Sequence, residues 1–175
     1  MKHEGHTHHK RRTGGMTGTQ GSTMLKEEWL TPPHILAELG GFDLDPCAPI
    51  KRPWPTADNH FTARDDGLSR PWKGRVWLNP PYGKPSVVRP WMERMAVHNH
   101  GTALIFARTE TELFFDTVWE RATGVLFLKG RLFFHHVTGE PAVGNAGAPS
   151  CLVSYGPWDL RTLQNCLLEG NMVTL

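Results

Sequence analysis

Two consecutive prolines one residue behind an apolar run constrain this chain more than any other feature. The run is Val76-Trp77-Leu78, led in by Arg75, and Asn79-Pro80-Pro81-Tyr82-Gly83 follows it. Proline fixes φ, removes a backbone donor and pushes its preceding residue out of the helical region. A strand must therefore end here in a stiff loop whose carbonyls face outward. The loop holds three groups together: an amide acceptor (Asn79), a fixed carbonyl acceptor (Pro80, braced by Pro81) and an aromatic face (Tyr82). Together they suit a planar exocyclic amine. Asn79 Oδ1 and the Pro80 carbonyl can accept its two N–H bonds and draw its lone pair out of ring conjugation, while Tyr82 stacks on the base. No strong general base is needed, because the amine proton can leave after the new bond forms. The plainer reading is a Pro-rich turn closed by a tyrosine. Its place behind a hydrophobic strand favours the functional one.

Around this loop the pattern alternates between helix and strand. Thr31-Pro32-Pro33 predicts a helix with Thr31 as N-cap and Pro32 at its first position, carrying Ile35, Leu36 and Leu39 and stopping at Gly40. Gly41–Leu44 reads as a strand ending at Asp45, and Arg75–Leu78 as a second. A helix is expected over 89–98, then a buried apolar strand at Thr102–Phe106. Thr109-Glu110-Thr111-Glu112 forms a capping box before the helix bearing Leu113, Phe114, Val118 and Trp119, which stops at Gly124. Val125–Leu128 and Arg131–Phe134 flank Lys129-Gly130 with the spacing of a tight hairpin. A Gly-rich loop (135–149), a strand at Cys151–Tyr155 and a helix near 159–168 complete the chain. The expected fold is α/β: a mainly parallel sheet with an antiparallel edge hairpin. Ligands in such sheets sit at the carboxyl ends of the strands, where Asp45 and Asn79–Tyr82 both fall.

Composition adds limits. Residues 1–23 contain no Leu, Ile, Val, Phe, Trp or Tyr and carry +3, so the remainder nets to −1 out of the total of +2. The tail is expected to be disordered and 24–175 to form one domain. Its His3, His6, His8 and His9 are read as a solvated tail more readily than as a metal site, and no metal ligands are assigned. The near-neutral body excludes a protein that binds nucleic acid through bulk charge alone. No apolar run reaches the ~20 residues of a membrane span. Three scattered cysteines without a CxxC suit reduced thiols, so a cytoplasmic protein is expected. Arg70, Lys73, Arg75, Lys84, Arg89 and Arg94 stand against Glu93 alone over residues 70–94, a local +5 beside the proline loop. That density suits phosphate contacts, with a solvated charged face as the alternative.

In order along the chain, Trp29-Leu30-Thr31-Pro32, Phe42-Asp43-Leu44-Asp45-Pro46-Cys47-Ala48, Asp65-Asp66-Gly67-Leu68, Trp72 and Asn79-Pro80-Pro81-Tyr82-Gly83 resemble the phage-type DNA N6-adenine methyltransferases, a Dam-like family. Trp91 and Gly130-Arg131-Leu132-Phe133-Phe134 extend the resemblance over roughly residues 29–155. It implies a Rossmann-like class I methyltransferase sheet, S-adenosylmethionine as cofactor, and DNA as partner with the target adenine flipped out or single-stranded. It also implies catalytic roles for Asn79, Pro80, Pro81 and Tyr82, and a cofactor segment at Trp29, Thr31 and Pro32 against the methionine part. Asp45 resembles the strand-end acid near the cofactor's ammonium or ribose, and Asp65 or Asp66 an acid for the ribose or adenine. Pro46, Cys47 and Ala48 stand where many methyltransferases have a glycine-rich loop. Cys47, without a His partner, reads as packing rather than as a nucleophile. The loops 51–64 and 135–149 are the lengths available to read sequence. Alternatives remain: cytosine N4, RNA adenine or a protein glutamine amide as acceptor, or an inactive nucleic-acid-binding relative.

Overall fold

The computed structural model describes residues 28–175. The polar His-rich tail expected at 1–23 lies outside them. The elements in order are β1 (Trp29–Leu30), α1 (Pro33–Leu39), β2 (Leu44–Asp45), β3 (Asn59–His60), β4 (Val76–Leu78), α2 (Pro85–His98), β5 (Gly101–Phe106), α3 (Glu112–Phe114), β6 (Gly124–Leu128), β7 (His135–His136), β8 (Ser150–Tyr155), α4 (Pro157–Asn165) and β9 (Gly170–Thr174). Seven strands form one sheet in the order β3-β2-β4-β5-β8-β6-β9, and β1 pairs with β7 in a separate ribbon. The β3, β2, β4 and β5 half is parallel. The β8, β6 and β9 half is joined by antiparallel pairing.

Strand periodicity sorts the core onto two faces. Val76, Leu78, Ala103, Ile105, Val153 and Tyr155 pack on one side with Met92 and Met95 of α2 and Phe114 of α3. Trp77, Leu104 and Leu152 point to the other, against Ile35 and Leu39 of α1 and Leu163 of α4. Helices therefore cover both faces of the sheet.

Several expectations are corrected. The sheet is mixed rather than mainly parallel, because three of its six pairings are antiparallel. The hairpin around Lys129-Gly130 does not form. Gly130 turns the chain with φ 77°, and Phe134 is then buried against Tyr82 instead of extending along β6. The carbonyls of Leu132 and Phe134 accept from Ala146 and Ala142 N–H at 2.7 Å each. The edge beside β6 is taken by β9, which the sequence reading did not anticipate. Thr31 is not the cap of α1 either: Pro32 holds that position and Pro33 starts the helix. Thr111, not Thr109, caps α3, its hydroxyl accepting from Phe114 N–H at 3.3 Å. Beyond Phe114 the helix widens into a π turn over Phe115–Trp119.

Candidate active site

A cavity of about 500 Å³ opens at the carboxyl ends of β2 and β4, within the range that holds small-molecule ligands. Its walls come from four parts of the chain. Glu28 and Trp29 lead into β1; Pro46 to Pro49 leave β2; Thr62, Ala63, Asp66 and Gly67 form a crossing segment; and Asn79 to Tyr82 leave β4, with Trp91 of α2 closing one side. The crossing segment fits only because residue 67 has no side chain. A Cβ there would lie 1.9 Å from the Pro46 carbonyl oxygen. Asp66 beside it adopts a left-handed backbone, φ 52°, one of two such non-glycine residues among those described.

Asn79 is oriented by the backbone. Its Nδ2 donates to the Trp29 carbonyl at 3.3 Å, and its Oδ1 is buried without a partner. The free end of the amide is thus the acceptor. Pro80 is buried next to it, and Tyr82 packs its ring on Phe106 (centroids 4.5 Å apart) and edge-on to Phe134 at 5.5 Å. The Tyr82 hydroxyl donates to the Leu104 carbonyl at 3.4 Å, and burial raises its pKa far above the ordinary phenol value. This tyrosine acts as an aromatic wall, never as an acid or base near neutrality.

The cavity's charge is one-sided. Among the described residues Glu28 and Asp66 line it, and no lysine, arginine or histidine does. A cationic ligand is favoured there and a phosphate is not. The donor set therefore fits a sulfonium-bearing nucleoside: carboxylates for cationic and hydroxyl groups, and indole and phenol faces for an aromatic ring and a soft cation. The Cys47 thiol at the wall is pushed well above its usual pKa, by burial first and then by Asp45 and Glu28. It is neutral and no nucleophile.

Of the residues expected at the site, Trp29, Pro46, Cys47, Ala48, Asp66, Asn79, Pro80, Pro81 and Tyr82 meet at this cavity. Asp65 does not line it. Its carboxylate accepts from the N–H and hydroxyl of Thr62, both at 2.8 Å, which lowers its pKa and makes it a turn residue. Pro32 lies at the start of α1, outside the lining. With Pro33 also lacking an N–H and Ile35 N–H used by the Pro32 carbonyl at 3.1 Å, little of that helix end remains for a carboxylate. Asp45 and Thr31 sit behind the wall, 2% and 1% exposed. Asp45 accepts from Thr56 Oγ1 at 2.5 Å and Cys47 N at 2.9 Å, and burial raises its pKa to about 6 against the pull of those bonds and of Arg52. Glu28, Pro49, Thr62, Ala63, Gly67 and Trp91 were not singled out as cavity residues by sequence. Only Gly67 and Trp91 carried a signal, as parts of the resemblance.

The family model described as DNA N-6-adenine-methyltransferase (Dam) matches residues 18–164. The chain belongs to this Dam family. A curated relative, the DNA N-6-adenine-methyltransferase of Escherichia phage T1, is 25% identical over 123 residues, covering 66% of this chain and 50% of that protein. This Dam-family chain thus spans about half the length of the relative. No solved structure matches it. The family match includes every wall of the cavity, from Glu28 to Trp91.

The basic stretch beside the loop is thinner in space than in sequence. Arg75 is buried at the far end of β4, where its Nε donates to Asp159 and its Nη1 to the carbonyls of Leu39 and Gly41, all at 2.8 Å. Arg94 donates to the carbonyls of Leu68 and Arg70 and lies over the Trp72 ring. Arg89 pairs with Asp116 at 2.6 Å. Arg70, Lys73 and Lys84 are the exposed remainder, and the two lysines enter no ion pair among the described residues. The loops 51–64 and 135–149 meet each other: Trp54 stands edge-on to His135 at 5.3 Å, and a Cβ on Gly139 would touch Pro53 at 3.0 Å.

Proposed function

We propose that this Dam-family chain transfers a methyl group from S-adenosylmethionine to the exocyclic N6 amine of adenine in DNA. One observation carries the reading: Asn79 gives its Nδ2 to the Trp29 carbonyl, which leaves Oδ1 as a buried acceptor at the cavity beside the proline-locked Pro80. An amine donor satisfies that orphaned oxygen, whereas a carbonyl or carboxylate substrate does not. The parallel β3-β2-β4-β5 half, with the site at its carboxyl end, is read as a Rossmann-like methyltransferase sheet.

S-adenosylmethionine, when bound, supplies an electrophilic methyl on a good leaving group. The chain's own work is position and polarisation. Trp29 and Trp91 offer aromatic walls to the cofactor, and Asp66 and Glu28 offer carboxylates to its hydroxyl or ammonium groups. Asp45 and Thr31 act from behind the wall, Asp45 by fixing the Pro46-Cys47 turn through the Cys47 N–H. Asn79 Oδ1 and the Pro80 carbonyl hold the amine with its lone pair toward the methyl. Tyr82 forms the wall against which the base stacks. A recessed acceptor of this kind requires a base outside the helical stack, flipped or single-stranded.

The test is transfer of labelled methyl from S-adenosylmethionine to DNA, RNA and protein acceptors, followed by digestion and identification of the modified unit. N6-methyladenine from DNA is expected. Label on cytosine, on RNA or on a glutamine amide would replace the substrate assignment. Asn79→Ala should lower the transfer rate by roughly 10²–10³-fold while leaving cofactor binding largely intact, the scale of losing one preorganised polar contact at a reacting centre.

A further inference from the structure

We propose that one water molecule bound behind Asn79 holds its acceptor oxygen in place, and that Thr31 is the positioning residue for that water. The inference rests on the reading of Asn79 as the amine's acceptor. A recess of about 10 Å³ adjoins the main cavity, sharing Trp29, Cys47, Pro49 and Asn79 with it, and is lined further by Leu30, Thr31, Asp45, Thr56 and Trp77. That is about one probe sphere, the room a single buried water needs. Its lining gathers unpartnered polar atoms. Among the described residues nine buried side-chain nitrogens or oxygens lack a partner, and four of them belong to residues of this void: Trp29 Nε1, Thr31 Oγ1, Trp77 Nε1 and Asn79 Oδ1.

Their polarities explain why they do not satisfy one another. An indole N–H only donates and an amide oxygen only accepts, while the hydroxyl does both. Water is the complement. It donates to Asn79 Oδ1 and to the Asp45 carboxylate, and it accepts from the Thr31 hydroxyl and an indole N–H. Asp45 has lone pairs to spare beyond its bonds to Thr56 and Cys47. Leu30 and Pro49 also line the recess, and it is the polar groups among its lining residues that separate it from an apolar void that stays dry.

The consequence for the reaction is geometric. Asn79 Oδ1 carries two lone pairs; the water takes one and the substrate amine the other. With Nδ2 tied to the Trp29 carbonyl, the amide is then held at both ends, and the remaining lone pair points at the amine before it arrives. Thr31, 1% exposed, touches neither substrate nor the methyl and acts through the water.

Three measurements on the full chain test this. A high-resolution crystal structure should show ordered density within hydrogen-bond reach of Thr31 Oγ1 and Asn79 Oδ1. Thr31→Val, which keeps the shape and removes the hydroxyl, should lose that density and lower kcat roughly three- to tenfold, one hydrogen bond's worth. Its KM for DNA and its calorimetric affinity for S-adenosylmethionine should stay at the wild-type values, and Thr31→Ser should restore kcat. A dry void in the wild type overturns the proposal, as does a Thr31→Val protein with wild-type kcat. So does an effect confined to cofactor affinity, which would make Thr31 a direct cofactor contact. Should Thr31→Val fail to fold, Thr31→Ser and the wild-type density decide. A wild-type protein that methylates no DNA defeats the functional reading instead, and the density then settles the water site by itself.

Discussion

Asp45 places a carboxylate out of bulk solvent, and the folded state answers by holding its proton more tightly. Its pKa rises from 3.8 to about 6. A carboxyl whose folded pKa exceeds its unfolded one binds protons more tightly when folded, so its contribution to stability is greatest below about pH 4 and is lost as pH rises through 6. Asp45→Asn removes that dependence while keeping an acceptor for the Cys47 N–H. Urea unfolding of the two proteins at about pH 4 and about pH 7.5 should show the wild type losing on the order of 1–3 kcal/mol relative to Asp45→Asn across that window. Parallel curves would mean that the hydrogen bonds to this carboxylate and the Arg52 charge offset its burial in full. Gly67 makes a second residue-scale claim. A methyl there meets the Pro46 carbonyl oxygen at 1.9 Å, so one of two cavity walls must move. Gly67→Ala is expected to cost roughly 1–3 kcal/mol of stability and to weaken S-adenosylmethionine binding in calorimetry, because both walls face the cofactor cavity. Unchanged affinity would show that the displaced backbone moves away from the ligand.

At the scale of elements, β4 carries the fold's two ends. Its exit is the proline loop, and its entry is Arg75, whose guanidinium lies over Phe42 and binds Asp159 of α4 while Thr102 of β5 reaches the same carboxylate. Removing one partner strands a buried charge, so Asp159→Ala should lower unfolding free energy by about 3–5 kcal/mol in denaturant titration. Methyl transfer per folded molecule should be unchanged, since Arg75 and Asn79 sit at opposite ends of the strand. Arg75 also shows where sequence reasoning stops: along the chain it counts as one more cation near the loop, and only the partner 84 residues away makes it a strut. β4 was legible because Val76-Trp77-Leu78 is an apolar run closed by Asn79 and proline, a local signal, whereas the strand expected over Gly41–Leu44 shrinks to Leu44–Asp45. Asn79–Tyr82 were legible for the same reason. β9 was not, because Gly170-Asn171-Met172-Val173-Thr174 gains its strand form by lining up with β6 rather than by any alternation of its own. The Lys129-Gly130 turn was rightly read as a reversal but wrongly as a hairpin, since burying Phe134 beside Tyr82 outweighed pairing along β6. Thr62, Ala63 and Glu28 reach the cavity through tertiary packing, which no spacing records.

Beside the proline loop, the described residues offer DNA little free charge. Of six cations counted beside the loop, Arg75 is buried, Arg94 and Arg70 donate to carbonyls and Arg89 is paired, which leaves Lys73 and Lys84. Each phosphate neutralised contributes about 0.9 to the slope of log affinity against log salt on duplex DNA. The two free lysines beside the loop therefore contribute roughly −2 to that slope. Residues 1–23 add Lys2, Lys10, Arg11 and Arg12 against Glu4. If that segment lies along DNA, the full chain should show a slope steeper by about 3 and tighter binding at low salt, with little change at high salt. Fluorescence anisotropy on a labelled duplex, with and without residues 1–23, measures both. Equal slopes would place the segment away from DNA. A contribution of about −4 to −5 from the stretch beside the loop would mean that Arg70, Arg89 and Arg94 leave their present partners to meet phosphate, and the site would then have to rearrange on binding. The 51–64 and 135–149 loops brace each other through Trp54, His135 and Gly139, and on the proposed function they are the segments expected to discriminate between sequences. Their joint length is short, so the recognised sequence should be short as well: methylation of random-sequence DNA should map to a motif of only a few base pairs.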